Sequence, residues 1–224
     1  VQETIENSLQ LLLKNKGLRI VGAGRTDTGV HAMQMFAHFD YDQNLEFNNL
    51  ILKLNSFLGK NIYIKDIKKV SLNAHARFDA TLREYKYFIT KVKDVHNFNT
   101  KFFFPKDLDY GEIDKAINII KANNNFKSFC RSKTDVTNYE CIIHDFKYEM
   151  IDSELIFSIS SNRFLRNMVR SIIGTILEIG QLKTTVSDLK KIINKSDRIY
   201  AGPSVPAHGL FLTKVEYPEN IFIK

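Results

Sequence analysis

The 224-residue sequence predicts an α+β fold with a mixed, largely antiparallel sheet flanked by helices, divided into two halves at residues 1–92 and 93–224. Apolar residues recur at helical spacing in separate segments, and strongly alternating segments stand between them, some joined by short turns. Each half mixes the two element types without a regular strand–helix alternation, so α+β is the natural class.

In the first half, Val1, Ile5, Leu9, Leu12 and Leu13 predict a helix, with Gly17 as its expected C-cap. Leu18 to Val21 reads as a strand end, a glycine-rich turn follows, and Val30 to Phe39 reads as one further strand. Phe47, Leu50, Ile51, Leu54 and Leu58 predict a second helix before Gly59, and Ile62 and Ile64 alternate as a strand should. Thr81 to Thr90 reads as a strand with Tyr85, Tyr87 and Ile89 on one face. Lys91 to Asp109 has no clear period and is expected to link the halves.

The second half restarts with Ile113, Ala116, Ile117 and Ile120 on a helix. Residues 141–150 alternate as a half-buried strand, and a turn at Asp152-Ser153 leads to Leu155, Phe157 and Ile159 as its hairpin partner. Helices are expected from Arg163 to Ile179 and from Val186 to Asn194, and a strand from Gly209 to Tyr217.

Composition narrows the class. Hydrophobic residues at 44% and charged residues at 25% are ordinary for a soluble protein. No apolar run approaches the roughly 20 residues of a membrane span, and the opening residues read as an amphipathic helix rather than a signal segment. Cys130 and Cys141, with His144 nearby, would supply at most three zinc ligands and contain no CxxC pair, so no metal site is expected. Two sparse thiols fit a reducing cytoplasm. The net charge of +7 favours a polyanionic partner, although a lysine-rich solvated surface would give the same sum.

The segment Gly22-Ala23-Gly24-Arg25-Thr26-Asp27-Thr28-Gly29-Val30-His31-Ala32 sets one carboxylate in a glycine-flanked turn after an apolar strand. A hairpin loop whose Asp and Thr side chains bond their own backbone would read the same way. In a dinucleotide fingerprint Asp27 would hold the third glycine position and repel pyrophosphate. A phosphotransfer loop would want a second acidic residue for magnesium, where Arg25 stands instead.

Two further constellations carry cations. On the helix expected from Arg163, the residues Arg163, Arg166 and Arg170 share a face about 60° wide. They would repel one another unless an anion lay opposite. One could pair with Asp27 and the others meet phosphate, or all three could face solvent. In the segment from Asn73 to Tyr87, Arg77 and Arg83 alternate with aromatic residues, a pattern that grips a phosphate chain while a ring stacks on a base. Core tyrosines beside surface charges would give the same pattern.

In this order the three segments resemble the TruA-type tRNA pseudouridine synthase family. The matches are Gly24 to Ala32, Ala76-Arg77-Phe78 through Arg83, Tyr85 and Tyr87, Phe164 to Gly174, and Ala207 to Leu212. The resemblance implies the pseudouridine synthase fold and a cofactor-free isomerase that converts uridine to pseudouridine at positions 38, 39 or 40 of the tRNA anticodon stem-loop. It implies a homodimer with tRNA across both subunits. It maps the nucleophile onto Asp27, a tyrosine that stacks on the flipped uracil onto Tyr85, and the arginine that keeps the carboxylate ionised onto Arg170. Arg25 would help displace the nucleotide, and Leu165 would line the uracil pocket. Family members also carry an opening strand of the Tyr-x-Gly-x-x-Tyr-x-Gly-Trp-Gln kind ahead of the first helix. The sequence starts at that helix, and a sheet without the strand would present an exposed edge. The family's Asp-Phe-x-x-Phe segment stands here as Asn125 to Phe129.

Overall fold

The computed structural model describes residues 1–132, 134 and 136–223. It divides into two compact units, one formed by Val1–Arg25, Met35–Ala80 and Tyr217–Lys224, the other by Thr26–Gln34 and Thr81–Glu216. The cut differs from the expected division at residue 92 for a clear reason. The strand Leu82–Thr90 is paired along both edges with strands from the second half of the chain, so it cannot be separated from them.

The first unit contains helix α1 (Gln2–Leu12), the short strands β1 (Val21–Gly22) and β3 (Ala37–His38), and helix α2 (Phe47–Phe57). Leu9, Leu18, Ile20, Leu50, Leu54 and Leu58 form its buried core. α1 ends before Gly17, where Lys14 takes φ +52°. Ile62 and Ile64 form no strand. The Asn55 side chain binds the backbone of Ile64 at both N–H and C=O, at 2.7 and 2.9 Å, in place of a neighbouring strand.

The second unit is built on a sheet of six strands among the described residues: β2 (His31–Ala32), β4 (Leu82–Thr90), β5 (Phe102–Phe103), β6 (Ile143–Ile151), β7 (Glu154–Ser161) and β8 (Leu210–Glu216). The order is β2-β8-β4-β7-β6, with β5 beside one end of β4. β2 on β8 and β5 on β4 are parallel pairs, and the other pairs are antiparallel. The predicted mixed, mostly antiparallel α+β class is the one observed. Residues 30–39 do not form one strand. They divide into β2, which adds to β8, and β3, which pairs with β1 in the first unit. The expected link at 91–109 contains β5, whose Phe102 packs on the core.

Helices α3 (Tyr110–Lys121), α4 (Met168–Gly180) and α5 (Val186–Lys195) complete the unit. Asp109 caps α3 by accepting from the Glu112 N–H, and Thr185 and Asp188 form a reciprocal capping box on α5. α4 is buried almost all round, as a central helix should be. It starts at Met168, not at Arg163, because Asn167 adopts a left-handed conformation, φ +66°, which cannot continue an α-helix. Arg163 and Arg166 therefore lie in the non-helical approach, and the three arginines do not share a helix face.

Among the described residues, no helix is long and apolar enough to cross a membrane.

Candidate active site

In the second unit, three elements deliver the side chains that converge on Asp27. The turn ahead of β2 is closed by the Val30 N–H on the Asp27 carbonyl, 3.1 Å. Gly29 holds φ +85° there, a conformation that suits a residue without Cβ. β2 is anchored on β8, and just beyond it the Met33 N–H donates to the Leu212 carbonyl. β4 supplies Tyr85. Its pairing with β8 shifts register between Glu84 and Tyr85, leaving Thr213 as the extra residue, its hydroxyl donating to the Glu84 carboxylate at 2.7 Å. Such a bulge re-aims the neighbouring side chains. The first turn of α4 supplies Arg170.

Arg170 Nη1 donates to Asp27 Oδ2 at 2.8 Å, and both side chains are about one-fifth exposed. Arg170 Nε donates to the Val205 carbonyl at 2.8 Å, and the Arg170 carbonyl accepts from the Val205 N–H. The guanidinium is thus held by a second partner besides the carboxylate. Arg166 stands farther off, with Nε 3.9 Å from Asp27 Oδ1 and 57% of its side chain exposed.

Two openings adjoin the pair. A slot of about 40 Å³ is lined by Asp27, Val30, Tyr85, Phe164, Leu165 and Met168. Tyr85 meets Phe164 edge to face, with ring centroids 5.2 Å apart. Burial pushes the Tyr85 phenol up to about 12, so it is neutral at physiological pH. A polar cleft of about 720 Å³ opens beside the slot and is lined by Asp27, Arg131, Arg166, Asn167, Arg170 and Arg198, among others.

The predicted residues are distributed unevenly. Asp27, Tyr85, Leu165 and Arg170 come together at the slot, and Arg166 joins them at the cleft. Arg163 lines neither opening. It lies near Cys141, whose buried thiol is pushed up to about 11 by desolvation and held back by the Arg163 charge. Arg83 is half-buried and donates to the Asn162 carbonyl at 2.8 Å. Arg25 and Arg77 are exposed and belong to the first unit, where Arg77 lies over the Phe78 ring, itself stacked on His75. No group of three or more His, Cys, Asp or Glu among the described residues is gathered as metal ligands would be.

Comparison with known proteins identifies the family. A family model described as tRNA pseudouridine synthase matches residues 123–218. The tRNA pseudouridine synthase A of Azobacteroides pseudotrichonymphae is 43% identical over 222 residues, covering 99% of this chain and 89% of that protein. The chain belongs to the tRNA pseudouridine synthase A family. Its relatives of the same name include proteins from Parabacteroides distasonis, 42% identical with 99% and 88% covered, and from Geobacillus, 38% identical with 97% and 88% covered.

The cleft also holds residues that no spacing in the sequence connects to the glycine turn or to Arg170. Arg131 follows a 3₁₀ turn, Arg198 opens another, and Ser204 sits in the loop before β8. Their convergence exists only in three dimensions, and no local pattern in the chain marked them.

Proposed function

We propose that this protein isomerises uridine to pseudouridine at position 38, 39 or 40 of the tRNA anticodon stem-loop, with Asp27 as nucleophile and Tyr85, Leu165 and Arg170 around the reacting base. The single observation that carries this reading is the Asp27–Arg170 pair at the mouth of an aromatic slot. Family membership supplies the substrate class.

The reaction breaks the N1–C1′ bond, forms a C5–C1′ bond, takes a proton from C5 and leaves one on N1, so composition is unchanged. The base must leave its stack to reach the enzyme, and it needs a new stacking partner when it does. Tyr85 offers that face. As a neutral phenol it donates a hydrogen bond more readily than it accepts a proton. Arg170 holds Oδ2 of Asp27, whereas Oδ1 has among the described residues only the looser Arg166 and is the oxygen left to form a bond to the nucleoside. The slot beside Tyr85, Phe164 and Leu165 is where the uracil is received. Arg25, Arg77, Arg83 and Arg166 meet the RNA, and the protein works in the cytoplasm as a homodimer spanned by tRNA. This part of the reading is supported by the family resemblance and by the net charge of +7.

The test is Asp27→Asn, which keeps shape and removes the charge. It is expected to abolish pseudouridine formation, measured by mass spectrometry of digested tRNA, while leaving tRNA affinity within a few-fold. Appreciable product from the variant would refute the nucleophile assignment.

A further inference from the structure

The cleft beside Asp27 is more positive than a single carboxylate requires. Arg131, Arg166, Arg170 and Arg198 line it against Asp27, four guanidinium groups to one carboxylate and a surplus of three positive charges. Arg170 is committed to Asp27. No carboxylate of the described residues lies within 4.0 Å of Arg131 or Arg198.

Arg198 is held firmly all the same. Its Nη1 donates to the Ala201 carbonyl at 3.1 Å and its Nη2 to Ser204 Oγ at 3.0 Å, and burial weakens its hold on its proton. A guanidinium has five N–H donors, so three of them have no acceptor among the described residues. Ser204 is held in a similar way. Its oxygen accepts from Asn167 Nδ2 at 2.6 Å as well as from Arg198, which occupies both lone pairs. The hydroxyl proton must then point elsewhere, and no acceptor for it exists among the described residues. The left-handed Asn167 that interrupts the arginine run is thus the residue that orients Ser204. The result is a fixed cation and a fixed O–H donor on the wall of a cleft that already contains three further arginines. This arrangement suits a tetrahedral oxyanion and leaves a neutral ligand with too few acceptors.

We propose that Arg198 and Ser204, with Arg131 lining the same cleft, form a phosphate subsite that takes a backbone phosphodiester flanking the target uridine and so fixes the register of the flipped nucleotide against Asp27. The subsite rests on the uridine-isomerase reading above. Phosphate contacts of this kind position a nucleic acid without reading its sequence, so Arg198 is a positioning residue.

The experiment uses a synthetic anticodon stem-loop RNA in which the linkage on either side of the target uridine is replaced, one at a time, by a neutral methylphosphonate. For the wild-type protein, one of the two replacements is expected to lower kcat/KM by about ten- to a hundredfold, the range for a charge-assisted contact. Arg198→Gln should lose a similar factor on unmodified RNA and lose little more on the methylphosphonate RNA. Arg198→Lys should recover part of the loss. Full activity of the wild-type protein on both modified RNAs would overturn the proposal, and this arm needs no variant to fold. A further loss in Arg198→Gln equal to that of the wild type would overturn it too, because two contacts that act together do not add. Inhibition by inorganic phosphate at constant ionic strength that Arg198→Gln abolishes, with no methylphosphonate effect, would assign the site to a free anion instead. If the wild-type protein makes no pseudouridine in unmodified RNA, the function reading fails and not the subsite alone.

Discussion

The Asp27–Arg170 pair can be tested as an interaction independently of turnover. Arg170→Met keeps most of the side-chain stem and removes the guanidinium. Two interactions go with it, the 2.8 Å bond to Asp27 and the 2.8 Å bond to the Val205 carbonyl. A hydrogen bond to a charged group contributes about 1.5–3 kcal/mol and a neutral one about 1 kcal/mol. With both partners of the pair only about one-fifth exposed, solvent replaces little of the lost contact. Arg166 can recover some of it by closing from 3.9 Å. The net expectation is a loss of about 3 kcal/mol. Asp27→Asn removes the charge but keeps an amide oxygen that still accepts from Arg170, and should cost about 1 kcal/mol. Once either partner is gone the second change has less to remove, so the double variant should be about 1 kcal/mol less destabilised than the sum. Urea unfolding of the four proteins, followed by circular dichroism at constant ionic strength, measures that coupling. Additivity within about 0.5 kcal/mol would refute the pair as an energetic unit in solution.

Two further predictions concern the scaffold around the site. The Asp188 carboxyl is pulled down from 3.8 to about 2, first by the Thr185 hydroxyl and then by Lys191. A lowered folded-state pKa stabilises above the unfolded value and loses that effect as pH falls through the folded one. The stability difference between the wild type and Asp188→Asn should therefore be constant above about pH 4 and vanish near pH 2, and urea midpoints across that range that keep the difference at the acid end would contradict it. Gly174→Ala would put a Cβ 1.7 Å from the Pro203 carbonyl oxygen, a backbone atom that cannot swing aside. Overpacking of this kind costs about 3 kcal/mol or more, and a thermal midpoint within a degree or two of the wild type would show that the loop and α4 are not in contact.

The parts of the site legible in the sequence are those that local rules can carry. Asp27 stands out because glycines flank it, and Tyr85 because a strand of alternating residues places it on one face with Tyr87. Arg170 is marked by the apolar stripe that predicts α4. The same stripe misleads one turn earlier. Phe164 and Leu165 are spaced from Met168 and Val169 as helical residues are, and they face the apolar interior in either conformation, so periodicity cannot detect the break at Asn167. A positive φ in a non-glycine residue has no signature in spacing, and periodicity groups Arg163 with the wrong neighbours as a result. The compact units do not follow the division at residue 92 for a related reason, because strand pairing is non-local and β4 is completed on both edges by later segments.

What brings the distributed pieces together is β8 and the loop that leads into it. The Asp27 turn is fixed because β2, which follows it, pairs in parallel with Phe211 and Leu212 of β8. Tyr85 is aimed by the bulge opposite Thr213 on the same strand. Arg170 is clamped by Val205, and Arg198 and Asn167 meet at Ser204. Every group of the slot and cleft argued to act on the nucleoside or its phosphate, Arg131 and Leu165 apart, is in direct contact with residues 204–213 or one bond from a residue that is. This geometry favours precision over adaptability, because a displacement of the loop by one ångström would shift the counter-ion and the phosphate donors together while leaving the carboxylate on its own turn. The glycine at 174, which allows Pro203 to lie against α4, therefore matters to the chemistry as well as to packing. It sets the distance between the helix that carries Arg170 and the loop that carries Ser204.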